Sequence, residues 1–226
     1  MDYALNPYGG CEHGCIYCYA PGHTHSDLST WRVVRVKRNV ADRLSKELPF
    51  AEGTIGIGTV TDPYQAAERR FRLTRSCLEI LRENDREVHI HTKSDLVLRD
   101  MDILGGMRCV VGMTVTTADD RSSKMTEPGA PLPSARLEAL GALLDAGMDA
   151  YALVAPVMSS LEGREADLAD GLAATGVRDV FIEGLNTRLV DMTRMDRMRI
   201  SHSARAEAEL ARQCLRRGLT VNGRSG

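Results

Sequence analysis

The sequence predicts an α/β protein whose strands and helices alternate to form an open or partial parallel barrel. Short runs of β-branched and apolar residues are repeatedly followed by helical patterns, and short turns join them. Only five or six such units fit into 226 residues, fewer than the eight of a complete barrel. No linker, repeat or low-complexity run divides the chain, so we expect a single domain over residues 1–226.

The order of the elements follows from the period of the apolar residues. After a short opening strand at 3–6 and an extended segment at 31–38, strands are predicted at 54–60, 87–92, 109–116, 150–155 and 177–183. Helices are predicted at 39–48, 66–83, 97–104, 134–146, 164–175 and 203–217. The helical pattern is clearest at 66–83, where Phe71, Thr74, Leu78 and Leu81 share one face. A polar connection rich in Met and Arg separates the last predicted strand from the last helix, at 187–200.

Composition favours a cytoplasmic protein without a membrane partner. The 43% apolar and 27% charged content is ordinary for a globular domain, and a net charge of −2 gives no general attraction to nucleic acid. We find no apolar run of membrane-spanning length and expect no secretory signal. Three of the six cysteines are isolated in apolar surroundings, which indicates a reducing compartment rather than a disulfide framework.

Three cysteines lie close together in a glycine-rich stretch, NPYGGCEHGCIYCYA at residues 6–20, which we call the cysteine loop. Cys11, Cys15 and Cys18 have the spacing C-x3-C-x2-C, which is too few thiolates for a closed four-cysteine site. Three thiolates can bind three irons of a [4Fe–4S] cluster and leave the fourth iron open to another ligand. The glycines around them let the backbone curl closely around such a cluster.

Two other kinds of metal site remain open at this point. Zinc would need His13, His23 or His25 to complete a set of three cysteines and one histidine. The usual zinc spacing, two pairs of ligands separated by a longer loop, is not seen here. Electron transfer of the ferredoxin type would need a fourth cysteine, and the remaining three are remote in sequence.

Polar residues follow the predicted strands at their carboxyl ends, where parallel α/β folds bind ligands. Thr61 and Asp62 follow the strand at 54–60 and could meet a cationic group, or could form only the turn before the next helix. His89, His91 and Lys93 share one face of the next strand, and we expect this face to point into the barrel. A lysine there needs an anionic partner; alternatively, Lys93 lies past the strand end in solvent. We expect His89 to be a hydrogen-bonded core histidine.

The next strand and the loop after it carry three more polar residues of interest. Thr114 and Thr116 share one face of the strand at 109–116, where they could bind a polar ligand or be ordinary strand residues. Glu127 precedes a proline in a long loop, so we expect its side chain to be exposed to solvent.

Motifs over nearly the whole chain point to one family. Besides the cysteine loop they are GTVTDPYQAAE, LTR, HTKSDLVLRD, MTVTT, EPGAP with RLEALGAL, and VAPV. Together they resemble the spore-photoproduct-lyase-like branch of the radical SAM superfamily. The resemblance implies a partial (β/α)6 TIM-type barrel with a [4Fe–4S] cluster held by Cys11, Cys15 and Cys18. The amino and carboxylate groups of S-adenosylmethionine (SAM) would then chelate the fourth iron.

The activity implied by this resemblance is a radical reaction. An external low-potential electron donor would reduce the oxygen-sensitive cluster, and cleavage of SAM would give a 5′-deoxyadenosyl radical that abstracts hydrogen from an unidentified substrate. The resemblance also implies a set of SAM contacts: Tyr17 and the backbone at 154–156, including Pro156, near the adenine, Thr61 and Asp62 at the amino group, Lys93 at the carboxylate, and Thr114 or Thr116 near the ribose.

The sequence differs from this branch at one place that bears on the substrate. Spore photoproduct lyase carries a hydrogen-donating cysteine just before its second-strand motif, whereas residues 58–62 here read GTVTD. We therefore expect an enzyme with a different substrate, and keep as alternatives a nucleic-acid repair or modification lyase and a metal-binding module without catalysis. The segment 187–200, with Arg188, Arg194, Arg197 and Arg199, could close over the barrel mouth or could be a disordered connection.

Overall fold

The computed structural model describes residues 1–223 as a parallel sheet covered by helices. The strands are β1 (Tyr3–Leu5), β2 (Tyr8–Gly9), β3 (Arg35–Val36), β4 (Ile55–Ile57), β5 (Val88–Thr92), β6 (Cys109–Thr114), β7 (Asp149–Val154), β8 (Asp179–Ile182) and β9 (Thr220–Asn222). The helices are α1 (Ala20–His23), α2 (Val40–Glu47), α3 (Ala66–Phe71), α4 (Leu73–Glu83), α5 (Met101–Leu104), α6 (Asp120–Thr126), α7 (Pro133–Asp145), α8 (Glu165–Ala174), α9 (Met192–Met198) and α10 (Ala204–Arg216).

Seven strands form one sheet in the order β1-β4-β5-β6-β7-β8-β9, and every neighbouring pair is parallel. The two remaining strands, β2 and β3, pair antiparallel, and β2 lies within the cysteine loop. Six strands are each followed by a helix before the next strand of the sheet, and β9 ends the series. The predicted alternation of strands and helices is thus confirmed, with one strand more than the pattern indicated.

The sheet has an apolar face under the helices and a second face that lines a cavity. In β5, Val88 and Ile90 are buried in the main core, whereas His89 and His91 lie on the other face. Helices α4, α7, α8 and α10 contribute the leucines that pack on the first face. Burying such a side chain stabilises the fold by about 1.5–3 kcal/mol. Because the period of a strand is two, this packing turns the intervening residues toward the cavity.

The predicted helix at 66–83 is interrupted at Arg72, whose φ of 51° lies in the left-handed region. The break leaves α3 and α4 as separate helices. The carboxylate of Glu68 accepts hydrogen bonds from the backbone N–H groups of Thr74 and Arg75, at 3.0 and 3.3 Å. These N–H groups have no partner within the helix at the start of α4, so the Glu68 carboxylate caps α4. The single helix predicted at 66–83 is interrupted as a result.

After β6, the apolar pattern missed three of the helices and strands. Helix α6 lies in the predicted loop after β6 and α9 lies in the polar connection, each with an aspartate at its N-terminus. Asp119 accepts from Ser122 N at 2.9 Å and Asp191 from Thr193 N at 3.0 Å. The third element, β9, has only three residues, too few to show a period. None of the helices within residues 1–223 has the length and apolarity needed to cross a bilayer.

Candidate active site

A cavity of about 600 Å³ opens at the carboxyl ends of the strands, beside the cysteine loop. Nine of the ten predicted site residues line it: Cys11, Cys15, Tyr17, Cys18, Thr61, Asp62, Lys93, Thr114 and Pro156. The tenth, Thr116, is buried next to the cavity and donates a hydrogen bond to Glu127 Oε1 at 2.9 Å. The structure therefore brings together residues that are up to 145 positions apart in the sequence.

Backbone hydrogen bonds fix the cysteine loop against Trp31 and against the end of α6. Cys11 N donates to Trp31 O at 2.9 Å, and Ile16 N donates to Thr126 O at 2.9 Å. Gly10, with φ of 82°, passes so close to Trp31 O that a Cβ would come within 2.6 Å of that oxygen. Gly129 similarly leaves no room for a Cβ against the backbone of the loop, to which its N–H donates. The glycines are thus required by close backbone approaches as well as by curvature.

A side-chain clamp ties the same loop to the start of α3. Gln65 accepts from Glu12 N at 2.9 Å and donates to Gly10 O at 3.2 Å. The carboxylate of Glu12 accepts in return from Ala67 N at 2.6 Å, one of the free donors of the first helical turn. The motif that follows β4 therefore positions the cysteine loop in addition to lining the cavity.

Of the three cysteines, Cys11 is buried and Cys15 and Cys18 are partly buried. Burial raises the pKa of Cys11 to about 12 and also raises the pKa values of Cys15 and Cys18. Thiolates in such a place need compensating positive charge, which iron or another metal ion supplies. Lys93 lowers the pKa of Cys15 in part, in opposition to burial. The loop fits a group that is bound through thiolates and neutralises them.

The arrangement does not favour a single zinc ion. Zinc gathers four donors within about 2.0–2.3 Å, and no three His, Cys, Asp or Glu side chains in residues 1–223 converge in this way. His13 lies with Nδ1 at 3.4 Å from Asp62 Oδ2, and burial lowers its pKa, while His23 and His25 are exposed. A cluster instead distributes its cysteines over different irons, as three separated thiols around one cavity allow.

Asp62 connects the ends of two strands. Its carboxylate accepts from Tyr64 N at 2.9 Å, from Thr92 Oγ1 at 2.8 Å and from Lys93 N at 2.7 Å. Thr61 donates through Oγ1 to Tyr8 O at 3.3 Å. Both residues thus line the cavity and also hold the strand ends and the cysteine loop in place.

Lys93 lies in the cavity and not in solvent. Its Nζ is 5.7 Å from the centre of the Tyr17 ring, close enough for a cation–π contact. Burial alone would lower the pKa of Lys93, but neighbouring Cys15 and Glu127 raise it above its ordinary value. The ammonium group therefore stays charged and offers the cavity a fixed positive group.

Glu127 is buried, so the expectation that it is exposed is wrong. Its exposed fraction is 1%, and that of its partner Arg136 is 0%, with 2.5 Å between Nη2 and Oε2. Tyr17 donates its hydroxyl hydrogen to the same carboxylate, as does Thr116. Although burial alone would raise the pKa of Glu127, Arg136 and Lys93 lower it to about 2. This ion pair secures Tyr17 beside the cavity.

A signal for this pair was present in the sequence. Arg136 lies on the same face of α7 as the buried residues Ala139, Leu140 and Leu143. An arginine on an apolar helix face requires a buried anion, and Glu127 is the acidic residue in the preceding motif.

A group of aromatic residues forms the cavity wall below the strand ends. His91 Nε2 and the Tyr151 hydroxyl are 2.5 Å apart, and burial lowers the pKa of His91 to about 4, so its imidazole is neutral. Gly112 makes room for them, because a Cβ there would lie 2.6 Å from the Tyr151 hydroxyl. His89 is not the hydrogen-bonded core residue we expected, since its buried Nε2 lacks a partner among the described residues.

The polar connection packs onto the cysteine loop. Val190, Met195 and Ile200 form a small buried cluster with Ile16 and Tyr17. Leu189 of the connection lines the cavity, as do Leu185 and Asn186 just before it. Its arginines, Arg188, Arg194, Arg197 and Arg199, are exposed. The connection therefore packs against the cysteine loop, reaches the cavity through Leu189 and carries four exposed arginines.

Comparison with known proteins identifies the family. The sequence model of the radical SAM superfamily matches residues 5–166. An uncharacterised protein of Mycobacterium tuberculosis is 34% identical in an alignment of 201 residues that covers 82% of this chain and 59% of that protein. An uncharacterised protein of Methanocaldococcus jannaschii is 34% identical in an alignment of 164 residues that covers 70% of this chain and 61% of that protein. The chain belongs to the radical SAM superfamily and spans about three fifths of the length of these relatives.

Solved structures share the fold. A mutant of spore photoproduct lyase superposes with a TM-score of 0.71 at 17% identity, covering 98% of this chain and 76% of that one. SuiB of Streptococcus suis bound to SAM superposes with a TM-score of 0.66 at 14% identity, covering 98% and 50%. The first protein is also known in complex with a dinucleoside spore photoproduct and the second with the precursor peptide SuiA. Membership of the radical SAM superfamily, predicted from the motifs, is confirmed, and the cofactors of this superfamily are a [4Fe–4S] cluster and SAM.

Proposed function

We propose that this protein is a radical SAM enzyme whose cysteine loop holds a [4Fe–4S] cluster through Cys11, Cys15 and Cys18. The observation that carries the proposal is the cavity shared by the three thiols and the polar strand ends. When bound, the cluster and SAM would supply one chemistry, the one-electron cleavage of the SAM sulfonium. This cleavage gives a 5′-deoxyadenosyl radical that abstracts hydrogen. A low-potential electron donor is the partner that this chemistry requires.

The residues of the cavity have the charges and shapes that SAM needs. Lys93 supplies a buried positive charge for the carboxylate, and the polar edge made by Thr61 and Asp62 suits the amino group. Tyr17 and Pro156 provide surfaces for the adenine. Of the two threonines we assign the ribose contact to Thr114, because the hydroxyl of Thr116 already donates to Glu127.

The test is SAM cleavage by anaerobically reconstituted protein. With dithionite and SAM, the wild-type protein is expected to bind about four irons with labile sulfide and to release 5′-deoxyadenosine. Cys15→Ala and Cys18→Ala should abolish both properties. Cys109→Ala is the matched control, since Cys109 lies on β6 and does not line the cavity. A protein that retains zinc without sulfide would instead be a metal-binding module.

The four exposed arginines of the polar connection support an anionic substrate. The two neighbours of similar fold bind a dinucleoside and a peptide, so the fold alone does not determine the substrate class. The exposed positions of Arg194 and Arg197, in a segment that packs against the cysteine loop, favour a phosphate-bearing substrate. Arg194→Glu with Arg197→Glu should weaken the salt-dependent binding of DNA or RNA oligonucleotides and leave substrate-free SAM cleavage unchanged. If the wild-type protein binds neither oligonucleotide, the substrate is a small molecule, peptide or protein.

A further inference from the structure

Trp31 is fixed against the cysteine loop from outside it. The side chain is 5% exposed and packs with Cys11 and Ala20, and Cys18 lies against the same cluster. Its carbonyl oxygen accepts from Cys11 N at 2.9 Å, so the backbone of Trp31 is tied to the first cysteine of the motif. The indole therefore has a defined position relative to two of the three thiols.

The indole N–H of Trp31 is buried without a hydrogen-bond acceptor among the described residues. Such groups are rare in folded proteins, and a functional ligand is one reason for them. Cys18 packs against the same buried cluster as the Trp31 side chain, so the indole lies beside this residue. The unpaired donor and the sulfur of a proposed cluster ligand thus adjoin each other.

We propose that Trp31 Nε1–H donates a hydrogen bond to the Cys18 sulfur when that sulfur is a cluster ligand, and thereby raises the reduction potential of the cluster. The inference rests on the proposed function, because it takes the cysteine loop as a cluster site. A hydrogen bond to a ligating sulfur favours the more negative, reduced form of the cluster. Trp31 is a positioning residue in this scheme, since it acts through Cys18 and is not among the residues that line the cavity.

The role of the Trp31 N–H group can be separated from the packing of the indole ring. A phenylalanine at position 31 would still fill the apolar space beside Cys11 and Ala20. It would lack the only polar atom of the indole, the atom that is left without a partner among the described residues. The substitution Trp31→Phe therefore separates the hydrogen bond from the packing.

The first test is a potentiometric titration of the reconstituted cluster, followed by the EPR signal of its reduced form. At a fixed potential, Trp31→Phe is expected to lower the ratio of reduced to oxidised cluster about tenfold, which corresponds to about 59 mV for a one-electron couple. Tyr64→Phe is the matched control. Its hydroxyl is also buried without a partner in the described part of the chain, but it lies in the main core away from the thiols. The control should keep the wild-type potential.

The second test needs no variant, because Trp31 is the only tryptophan in the chain. Wild-type protein labelled with ¹⁵N at the indole nitrogen carries a single labelled site. Pulsed EPR of the reduced cluster should then resolve one ¹⁵N hyperfine coupling that is absent without the label. This measurement decides the matter if Trp31→Phe does not fold or does not bind iron.

The outcomes separate the two proposals. Wild-type protein that binds no iron and sulfide overturns the proposed function itself. Wild-type protein with a cluster, but with equal potentials in Trp31→Phe and no ¹⁵N coupling, overturns only the role of Trp31. A lowered potential in Trp31→Phe, with the control unchanged and a ¹⁵N coupling present, supports it.

Discussion

Glu68 and Glu127 are two buried carboxylates with similar hydrogen-bond and ion-pair partners but different positions relative to the cavity. Each accepts a hydrogen bond from a tyrosine of the cysteine loop, Tyr8 or Tyr17, and each pairs with an arginine. Only the network of Glu127 borders the cavity, since Tyr17 lines it and Lys93 contributes to the low pKa of Glu127. Glu68 and its partners therefore stabilise the fold, whereas Glu127 and its partners stabilise the fold and also position a residue of the cavity.

The partners of the two carboxylates also differ. Arg99, the partner of Glu68, makes a second ion pair with Asp100 at 2.7 Å. Arg136 is completely buried, and within residues 1–223 its ion pair is with Glu127 alone. Loss of Glu127 therefore leaves a buried, uncompensated charge, whereas loss of Glu68 does not.

The largest expected effect is that of Glu127→Ala. The free energy of unfolding should fall by about 3–5 kcal/mol, the usual result of removing one partner of a buried ion pair. Urea unfolding of the iron-free protein measures this change, with Glu127→Gln as the conservative variant. A loss below about 1 kcal/mol would show that Arg136 finds another partner.

The pH dependence of stability follows from the same carboxylate. Its folded pKa of about 2 lies below the ordinary value of 4.5, so the stabilisation is present above pH 4.5 and is lost as the pH falls toward 2. The stability difference between wild type and Glu127→Gln should shrink by roughly 2 kcal/mol between about pH 6 and pH 3. Thermal or urea unfolding at both pH values checks it, and a constant difference would contradict the assigned charge state.

Glu68→Ala should cost less, about 2 kcal/mol, because Arg99 keeps Asp100. Part of this loss comes from the start of α4, where the Glu68 carboxylate caps two backbone N–H groups. The affinity for SAM should stay close to that of the wild type. A large loss of SAM binding would show that the two networks are coupled.

Lys93→Met removes the positive charge of the cavity while keeping most of the side-chain volume. We expect SAM to bind the reconstituted protein about 10–100-fold more weakly, equivalent to about 1.4–2.8 kcal/mol. Equilibrium dialysis with labelled SAM measures the affinity, and urea unfolding should show a change within about 1 kcal/mol. Unchanged SAM affinity would remove Lys93 from the proposed binding site.

The smallest effects are expected from the two tyrosines. Tyr8→Phe and Tyr17→Phe each remove one hydrogen bond to a buried carboxylate and should lower stability by about 1 kcal/mol. Only Tyr17→Phe should alter SAM affinity, by a few-fold, because the freed Tyr17 ring lies beside Lys93. Equal SAM affinities in the two variants would mean that Glu127 positions nothing in the cavity.

The strand faces and the cysteine loop could be predicted because they depend on local periods and spacing. The alternation of β5 alone predicts that His91 and Lys93 share the inward face, and both residues line the cavity. The break at Arg72 could not be predicted, since the 66–83 pattern is continuous and the interruption depends on the carboxylate of Glu68. The expectation for Glu127 failed for a related reason: proline-rich loops are usually exposed, and its burial depends on Arg136.

The hydrogen bond between Tyr17 and Glu127 joins residues 110 positions apart. A ribosome adds about 5–20 residues per second, so the loop waits roughly 5–20 seconds for its partner to be synthesised. During this interval Cys11, Cys15 and Cys18 belong to an unfinished site in a nascent chain, where thiols are open to oxidation. On the proposed function, the folded form of the cysteine loop is available to iron only after Glu127 has been synthesised.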